Sequence, residues 1–388
     1  MTLASSTPVY LDHNATTPVH PIVLERMMPY FSDHFGNPSS RLHAWGWVAA
    51  EAVAVAREQV AVLIGAEAHD IVFTSGATEA VNLALKGVFE VAGRQRRRIV
   101  TVATEHRAVL DTCKRLEALG AEVVVLPVQP DGMIDLDELR SAVDDQTLLV
   151  AVMLANNETG VVQPLRAVGA IAHAQGALLF SDTTQAAGKL RIDVEEEGID
   201  LCCLSAHKFY GPKGVGALFV RRKSPRVPIA AQLDGGGHEN GRRSGTLNVP
   251  GIVGMGAAAE IATHDWWNDA ERISVLRTQL EQCLLDLGGV TVNGNTRYRL
   301  PNTTNLCFHG TPVSGFIRKL EGLGVSAGSA CSSALPDPSH VLRAMGMTDV
   351  NAASSLRFSL GKSTTEEDIV RAVGLMKRVL LQERMKRD

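Results

Sequence analysis

Ser205-Ala206-His207-Lys208-Phe209-Tyr210-Gly211-Pro212-Lys213-Gly214 separates two short apolar runs, residues 199–204 and 215–220. Runs of that length read as buried strands, and the Tyr-Gly-Pro between them reads as the turn that joins them. Lys208 then stands at the tip of a buried strand pair, held by a turn rather than carried on a flexible tail. A desolvated lysine loses its proton and attacks a carbonyl as an amine. The same residues also describe a surface hairpin lysine, so the decision rests on what the remaining chain brings to this turn.

Outward from the pair, short apolar runs alternate with longer amphipathic ones. Strands are expected at 71–74, 99–102, 122–126, 148–153, 178–181, 199–204 and 217–220, with helices near 77–92, 106–119, 135–143 and 164–175 between them and a separate helix over 45–63. That order predicts an α/β fold with a mainly parallel seven-stranded sheet covered by helices on both faces. The texture changes at 234–250, which is polar and rich in glycine. A long helix follows over about 251–287, and then shorter elements at 289–292, 303–308, 313–322, 338–345, 355–359 and 365–381. We expect a large domain over 16–262 and a smaller α/β domain built from 1–15 and 263–388.

In an open parallel sheet, ligands bind beyond the carboxyl ends of the strands. The first strand is followed by Ser75-Gly76-Ala77-Thr78-Glu79, a glycine turn into a helix. Its N–H groups, hydroxyl and dipole suit a phosphate, though the same residues make an ordinary helix cap. The next strand ends are followed by Thr104-Glu105-His106, by Asn156-Asn157-Glu158-Thr159-Gly160, by Asp182 with Thr184-Gln185, and by Lys208. Alone, each is a turn, a cap or a structural histidine. Together they supply a phosphate cradle, a ring stacker, a partner for a protonated ring nitrogen and a Schiff-base lysine, which describes a pyridoxal phosphate site.

A second feature is Ser326-Ala327-Gly328-Ser329-Ala330-Cys331-Ser332-Ser333-Ala334, which fits neither strand nor helix period and reads as a mobile loop. An exposed thiol there ionises readily, since its ordinary pKa is about 8.5. Arg357, inside the strand-like Ser354–Ser359 stretch, wants a carboxylate, and a bidentate clamp on an amino-acid carboxylate meets that need.

Composition narrows the classes. The chain has 388 residues, 45% hydrophobic and 21% charged, with a formal net charge of −4. That balance gives no reason to expect nucleic acid or an anionic membrane as partner. No apolar run reaches the roughly 18 residues of a membrane helix, and no secretory signal is read at the N-terminus. Cysteines at 113, 202, 203, 283, 307 and 331 show no C-x-x-C and no metal spacing, so no metal is expected. Free thiols fit a reducing cytoplasm.

The chain resembles the cysteine desulfurases of the NifS/IscS type, class V aminotransferases within the fold-type I pyridoxal phosphate enzymes. The likeness runs through Tyr10–Pro18, Gly36-Asn37-Pro38-Ser39-Ser40, Thr74–Glu79, Thr104-Glu105-His106, Asn156–Gly160, Ser205–Gly214, Arg243-Ser244-Gly245-Thr246 and Gly328-Ser329-Ala330-Cys331, in the family's order. The last of these resembles the branch with a long mobile cysteine loop. The resemblance implies that Lys208 forms the internal aldimine and moves the substrate's α-proton. It implies that Asp182 holds the pyridinium nitrogen, Gln185 the phenolate oxygen, and His106 the ring face as acid or base. Ala77, Thr78, Ser205 and His207 would hold the phosphate, joined by Thr246 of a neighbouring subunit in a homodimer. Asn157 and Arg357 would bind the substrate carboxylate, and Cys331 would be the nucleophile that takes sulfur from L-cysteine and passes it to an acceptor such as an iron–sulfur scaffold protein. A selenocysteine lyase or cystine C–S lyase on the same scaffold is the rival, and it has no obvious need for Cys331. Two departures stand out: Thr183-Thr184 follows Asp182 where relatives carry Ala-Thr or Ala-Val, and the chain stops at Asp388 where scaffold-docking relatives have a longer tail, which leaves the acceptor open.

Overall fold

The computed structural model describes residues 8–92, 94–224, 226–327 and 338–385. Twelve strands occur among them: β1 Val9–Tyr10, β2 Ile71–Thr74, β3 Arg98–Val102, β4 Glu122–Leu126, β5 Thr147–Ala151, β6 Leu178–Asp182, β7 Leu201–Ser205, β8 Gly216–Val220, β9 Val290–Val292, β10 Thr303–Phe308, β11 Leu323–Gly324 and β12 Ser355–Ser359. Seven of these form the main sheet in the order β2-β8-β7-β6-β5-β3-β4. Every pairing is parallel except those of β8, which runs antiparallel to both β7 and β2. The seven expected strands are therefore present and mainly parallel, with no boundary moved by more than two residues.

Burial on both faces explains the continuous apolar strands. Every residue of β2, β5, β7 and β8 is buried. One face packs against helix Ala44–Leu63 and the start of the long helix Val249–Leu285, the other against helices Ala77–Ala92 and Arg107–Glu117. A second sheet, β12-β10-β9, is antiparallel and packs on the other end of the long helix and on helix Glu366–Arg384. The long helix thus serves two cores: Ile252, Met255 and Ala259 lie in the first, Ile273, Leu276 and Leu280 in the second. The expected element at 313–322 is instead a short helix, Val313–Phe316, followed by a 3-10 turn.

The chain's beginning is tied to its far end. β1 pairs in parallel with β11, and Asp12 bridges Ser359 at the end of β12. No helix among the described residues is long and apolar enough to cross a membrane.

Candidate active site

The carboxyl ends of β2, β3, β5, β6 and β7 open on one edge of the main sheet. The Lys208 turn lies there, between the antiparallel strands β7 and β8, as the sequence predicts. Its half-buried side chain donates from Nζ to the carbonyl oxygens of Asn14 (2.6 Å) and Ala15 (2.8 Å). The turn is held in an unusual backbone state: Tyr210 has φ 68°, a left-handed conformation disfavoured for a bulky side chain. Three contacts hold it there. The Tyr210 N–H donates to Thr17 Oγ1 (2.9 Å), its carbonyl accepts from the N–H of His20 (3.0 Å), and its hydroxyl accepts from the N–H of Lys362 (2.6 Å).

Gln185 is buried on the turn after β6 and donates from Nε2 to the same Asn14 carbonyl at 2.9 Å. Asp182, the last residue of β6, is 8% exposed and accepts from the N–H of Thr184 at 2.9 Å. His106 caps helix Arg107–Glu117: its Nδ1 accepts from the N–H of Ala108 at 3.1 Å, so in the neutral ring the proton sits on Nε2. The ring is exposed. His207 approaches Thr16 Oγ1 at 3.1 Å through Nδ1, and burial together with Lys208, Lys213 and Lys189 pushes its pKa down to about 4. It is a neutral imidazole at pH 7.

The Gly76 turn fits a phosphate. Gly76 has φ 155°, a conformation reserved for glycine, and a Cβ there would reach into the space before Ser205 Oγ, 3.8 Å away. The N–H groups of Ala77 and Thr78 open the following helix and have no acceptor within its ladder. A dianion placed there meets these donors, the Ser205 hydroxyl and the helix dipole. Arg57, Arg243 and two carboxylates frame the turn: Arg243 pairs with Glu79, whose carboxylate also accepts from the Ser75 N–H, and Arg57 pairs with Glu239. Thr246 is exposed on the loop that carries Arg243.

Arg357 is 2% exposed on β12. Its Nη2 donates to Asp12 (2.6 Å) and its Nη1 to the backbone carbonyl of Asn157 (2.8 Å), while its buried Nε has no hydrogen-bond partner among the described residues. Thus Asn157 contributes its main chain to this arginine. Asn14 ties the same group together, donating from Nδ2 to Thr303 Oγ1 (2.9 Å) and to the Asn157 carbonyl (3.2 Å). Asn14, Asp12 and Lys189 carried no role in the sequence reading. Asn14 and Asp12 lie within the quoted opening motif, and their partners are more than 140 residues away.

Cys331 and its Gly-Ser-Ala neighbours lie outside the described residues. The other thiols are described. Cys113 and Cys202 are buried, which pushes each pKa up to about 12, and burial also raises Cys203 well above the ordinary thiol value and raises Cys307. Cys283 is half-buried on the long helix.

The sequence matches the aminotransferase class-V family over residues 9–371, and the chain belongs to that family. A cysteine desulfurase IscS from Anaeromyxobacter sp. is 52% identical over 95% of this chain and 91% of its own length. The cysteine desulfurase IscS of Klebsiella pneumoniae is 50% identical over 96% of this chain and 92% of its own. Among solved structures, a NifS-like protein superposes with a TM-score of 0.90 at 38% identity, covering 96% of this chain and 99% of that one. SspA in complex with cysteine superposes with a TM-score of 0.81 at 35% identity, covering 92% and 99%. Enzymes of this family depend in general on pyridoxal phosphate.

Proposed function

We propose that this protein is a cysteine desulfurase in which Lys208 holds pyridoxal phosphate, Arg357 receives the substrate carboxylate and Cys331 takes the sulfur. The observation that carries this reading is the convergence of Lys208, Gln185 and Arg357 on the Asn14–Asn157 segment pair, beside the Gly76 phosphate turn. When bound, the cofactor supplies an electron sink next to the substrate's Cα. The protein's part is placement and proton handling. Ala77, Thr78, Ser205 and His207 would hold the phosphate, and neutral His207 would offer a donor without adding charge. Asp182 would keep a proton on the ring nitrogen. Lys208 Nζ would move the α-proton, and His106, with its proton on Nε2, would cover the ring face and act as acid or base.

The sulfur balance is simple. The Cβ–S bond of L-cysteine breaks, an S–S bond forms to the Cys331 thiolate, the carbon skeleton leaves as L-alanine, and Cys331 is left as a persulfide. The five other cysteines are poor rivals: four are buried with raised pKa values, and Cys283 lies on a helix of the other core. We further propose a homodimer. Phe31, Phe35, Leu42, Trp45 and Trp47 are all exposed along the N-terminal helices and the segment that joins them, with Leu42 at 94%. An apolar face of that kind marks an interaction surface, and a second copy would bring its Thr246 loop to the phosphate. The division at residue 262, the cytoplasmic location and delivery of sulfur to an acceptor protein belong to the same reading.

The test is a joint assay of alanine and sulfide from cysteine, with and without a thiol reductant, together with borohydride trapping of the cofactor. Equal alanine and sulfide under reductant and label in the Lys208 peptide are expected. Label at Lys213 or Lys189, or alanine without any need of Cys331, overturns the reading and favours a lyase.

A further inference from the structure

The turn after β6 brings a second lysine to this site. Lys189 lies four residues after Gln185 on the same run of turns, and its Nζ donates to the Gln185 backbone carbonyl (2.9 Å) and to Gln185 Oε1 (3.3 Å). Gly188 makes the placement possible. It has φ 71°, and a Cβ there would stand 2.8 Å from Cβ of Phe209, so only glycine lets this turn close onto the Lys208 turn. Around Lys189 stand Lys208 and Arg357, with His13 and His207 beyond, and Asp12 facing Arg357. It is a cationic neighbourhood.

The contacts define the orientation of the Gln185 amide. Lys189 presents donors, and the Asn14 carbonyl is purely an acceptor. Both are satisfied when Oε1 faces Lys189 and the NH2 group faces the Asn14 carbonyl, which also accepts from Lys208 Nζ. The opposite orientation puts an NH2 group against an amine and a carbonyl against a carbonyl. Without Lys189, Oε1 loses that donor, while Lys208 Nζ, which shares the Asn14 carbonyl with the amide, is a competing donor.

We infer that Lys189 is a positioning residue that fixes the donor end of the Gln185 amide toward the cofactor's ring oxygen. This rests on the reading of Lys208 as the cofactor lysine. A donor aimed at the ring oxygen favours the unprotonated form of the bound chromophore. Losing it raises the pH midpoint of the visible absorption change in the holoprotein by about one unit, the size of one hydrogen bond to a charged group.

The experiment is a spectral pH titration of the holoprotein without substrate, for wild type, Lys189→Met, Lys189→Arg, Gln185→Leu and the double variant Gln185→Leu/Lys189→Met. Lys189→Met is expected to raise the midpoint by about one unit, and Lys189→Arg, which keeps the donors, to restore it. In the Gln185→Leu background Lys189→Met is expected to add nothing. An unshifted midpoint in Lys189→Met overturns the inference. So does a shift of equal size in both backgrounds, because Lys189 would then act through its own charge. Lys189→Leu repeats the measurement if the methionine variant does not fold. Borohydride trapping separates the two levels: label at Lys208 with an unshifted midpoint removes this inference alone, while label at Lys189 removes the reading beneath it.

Discussion

Arg57 and Glu239 meet where the 234–248 loop crosses β2 at Phe73, just before the Gly76 turn. The Glu239 carboxylate accepts from Arg57 Nη1 (2.7 Å) and Nη2 (2.6 Å) and from the N–H of Phe73 (2.8 Å). Arg57 Nη1 also donates to the Ile71 carbonyl, and the guanidinium lies 4.7 Å from the Phe73 ring centroid. The Glu239 side chain is 2% exposed and that of Arg57 19%. The loop needs this anchor, because Glu239, Asn240 and Gly241 all have positive φ, and each non-glycine residue there costs about 1–3 kcal/mol. Arg57→Met removes two charge-assisted bonds and leaves a buried carboxylate with the Phe73 N–H. Breaking one partner of a buried pair costs about 3–5 kcal/mol, and the partial exposure of Arg57 places this case near 3. Urea unfolding of the holoprotein followed by circular dichroism measures it. Arg57→Met/Glu239→Met should recover all but about 1–2 kcal/mol, since an apolar pair replaces the ionic one without stranding a charge. A single-variant cost below about 1 kcal/mol that raised salt abolishes would show a surface ion pair and refute the argument.

Cys331→Ala is expected to keep its yellow colour, to change spectrum on addition of cysteine and to release neither alanine nor sulfide. Mass spectrometry of wild type after cysteine, without reductant, should find added sulfur on the Cys331 peptide. Thr246→Ala should weaken cofactor retention by about 1.5–3 kcal/mol, the worth of one bond to a charged group, as read from equilibrium dialysis. A stable, fully active monomer in sedimentation would remove the shared-site reading on which that figure depends. In the cofactor-free protein, burial and the charges of Lys208 and Arg357 push Lys189 down to about 7, against about 10.4 unfolded. Between those values the unfolded chain binds the extra proton, so this residue makes stability rise with pH from about 7 to about 10 and contributes no slope below. Urea midpoints across that range should show a shallower rise in Lys189→Met.

What could be read in the sequence was whatever has a period or a local motif. Strand 71–74 falls where its apolar pattern puts it, because burial on both faces leaves an unbroken hydrophobic run; helix 77–92 and the edge strand 122–126, only one residue of which is buried, also fall where expected. The Lys208 turn was legible for the same reason, being bounded by two such runs. β1 and β11 were not, since two residues carry no period and their pairing joins positions over 300 residues apart. Arg357 was expected to need a carboxylate. That Asp12 supplies one could not be seen, because the bond spans 345 residues. The role of Asn14 was hidden for a different reason: its contact with Lys208 and Gln185 is made by a backbone carbonyl, which every residue possesses.

The strap formed by residues 9–14 has a consequence for the order in which the molecule can be completed. These residues leave the ribosome before the main sheet, yet Gly324 and Ser359, on which they are pinned, leave after it. The main sheet, from β2 to β8, can assemble long before that. Until the second core forms, the segment that carries the Asn14 and Ala15 carbonyls is held only from the main-sheet side, by Gln185, His207 and Tyr210, without its anchors at Thr303 and Ser359. Loop closure over so many residues is slow to find and comes late. A nascent or half-refolded chain would therefore present a finished sheet with the strap over Lys208 anchored on one side only. The Gly76 turn would be complete before that strap is fixed at both ends.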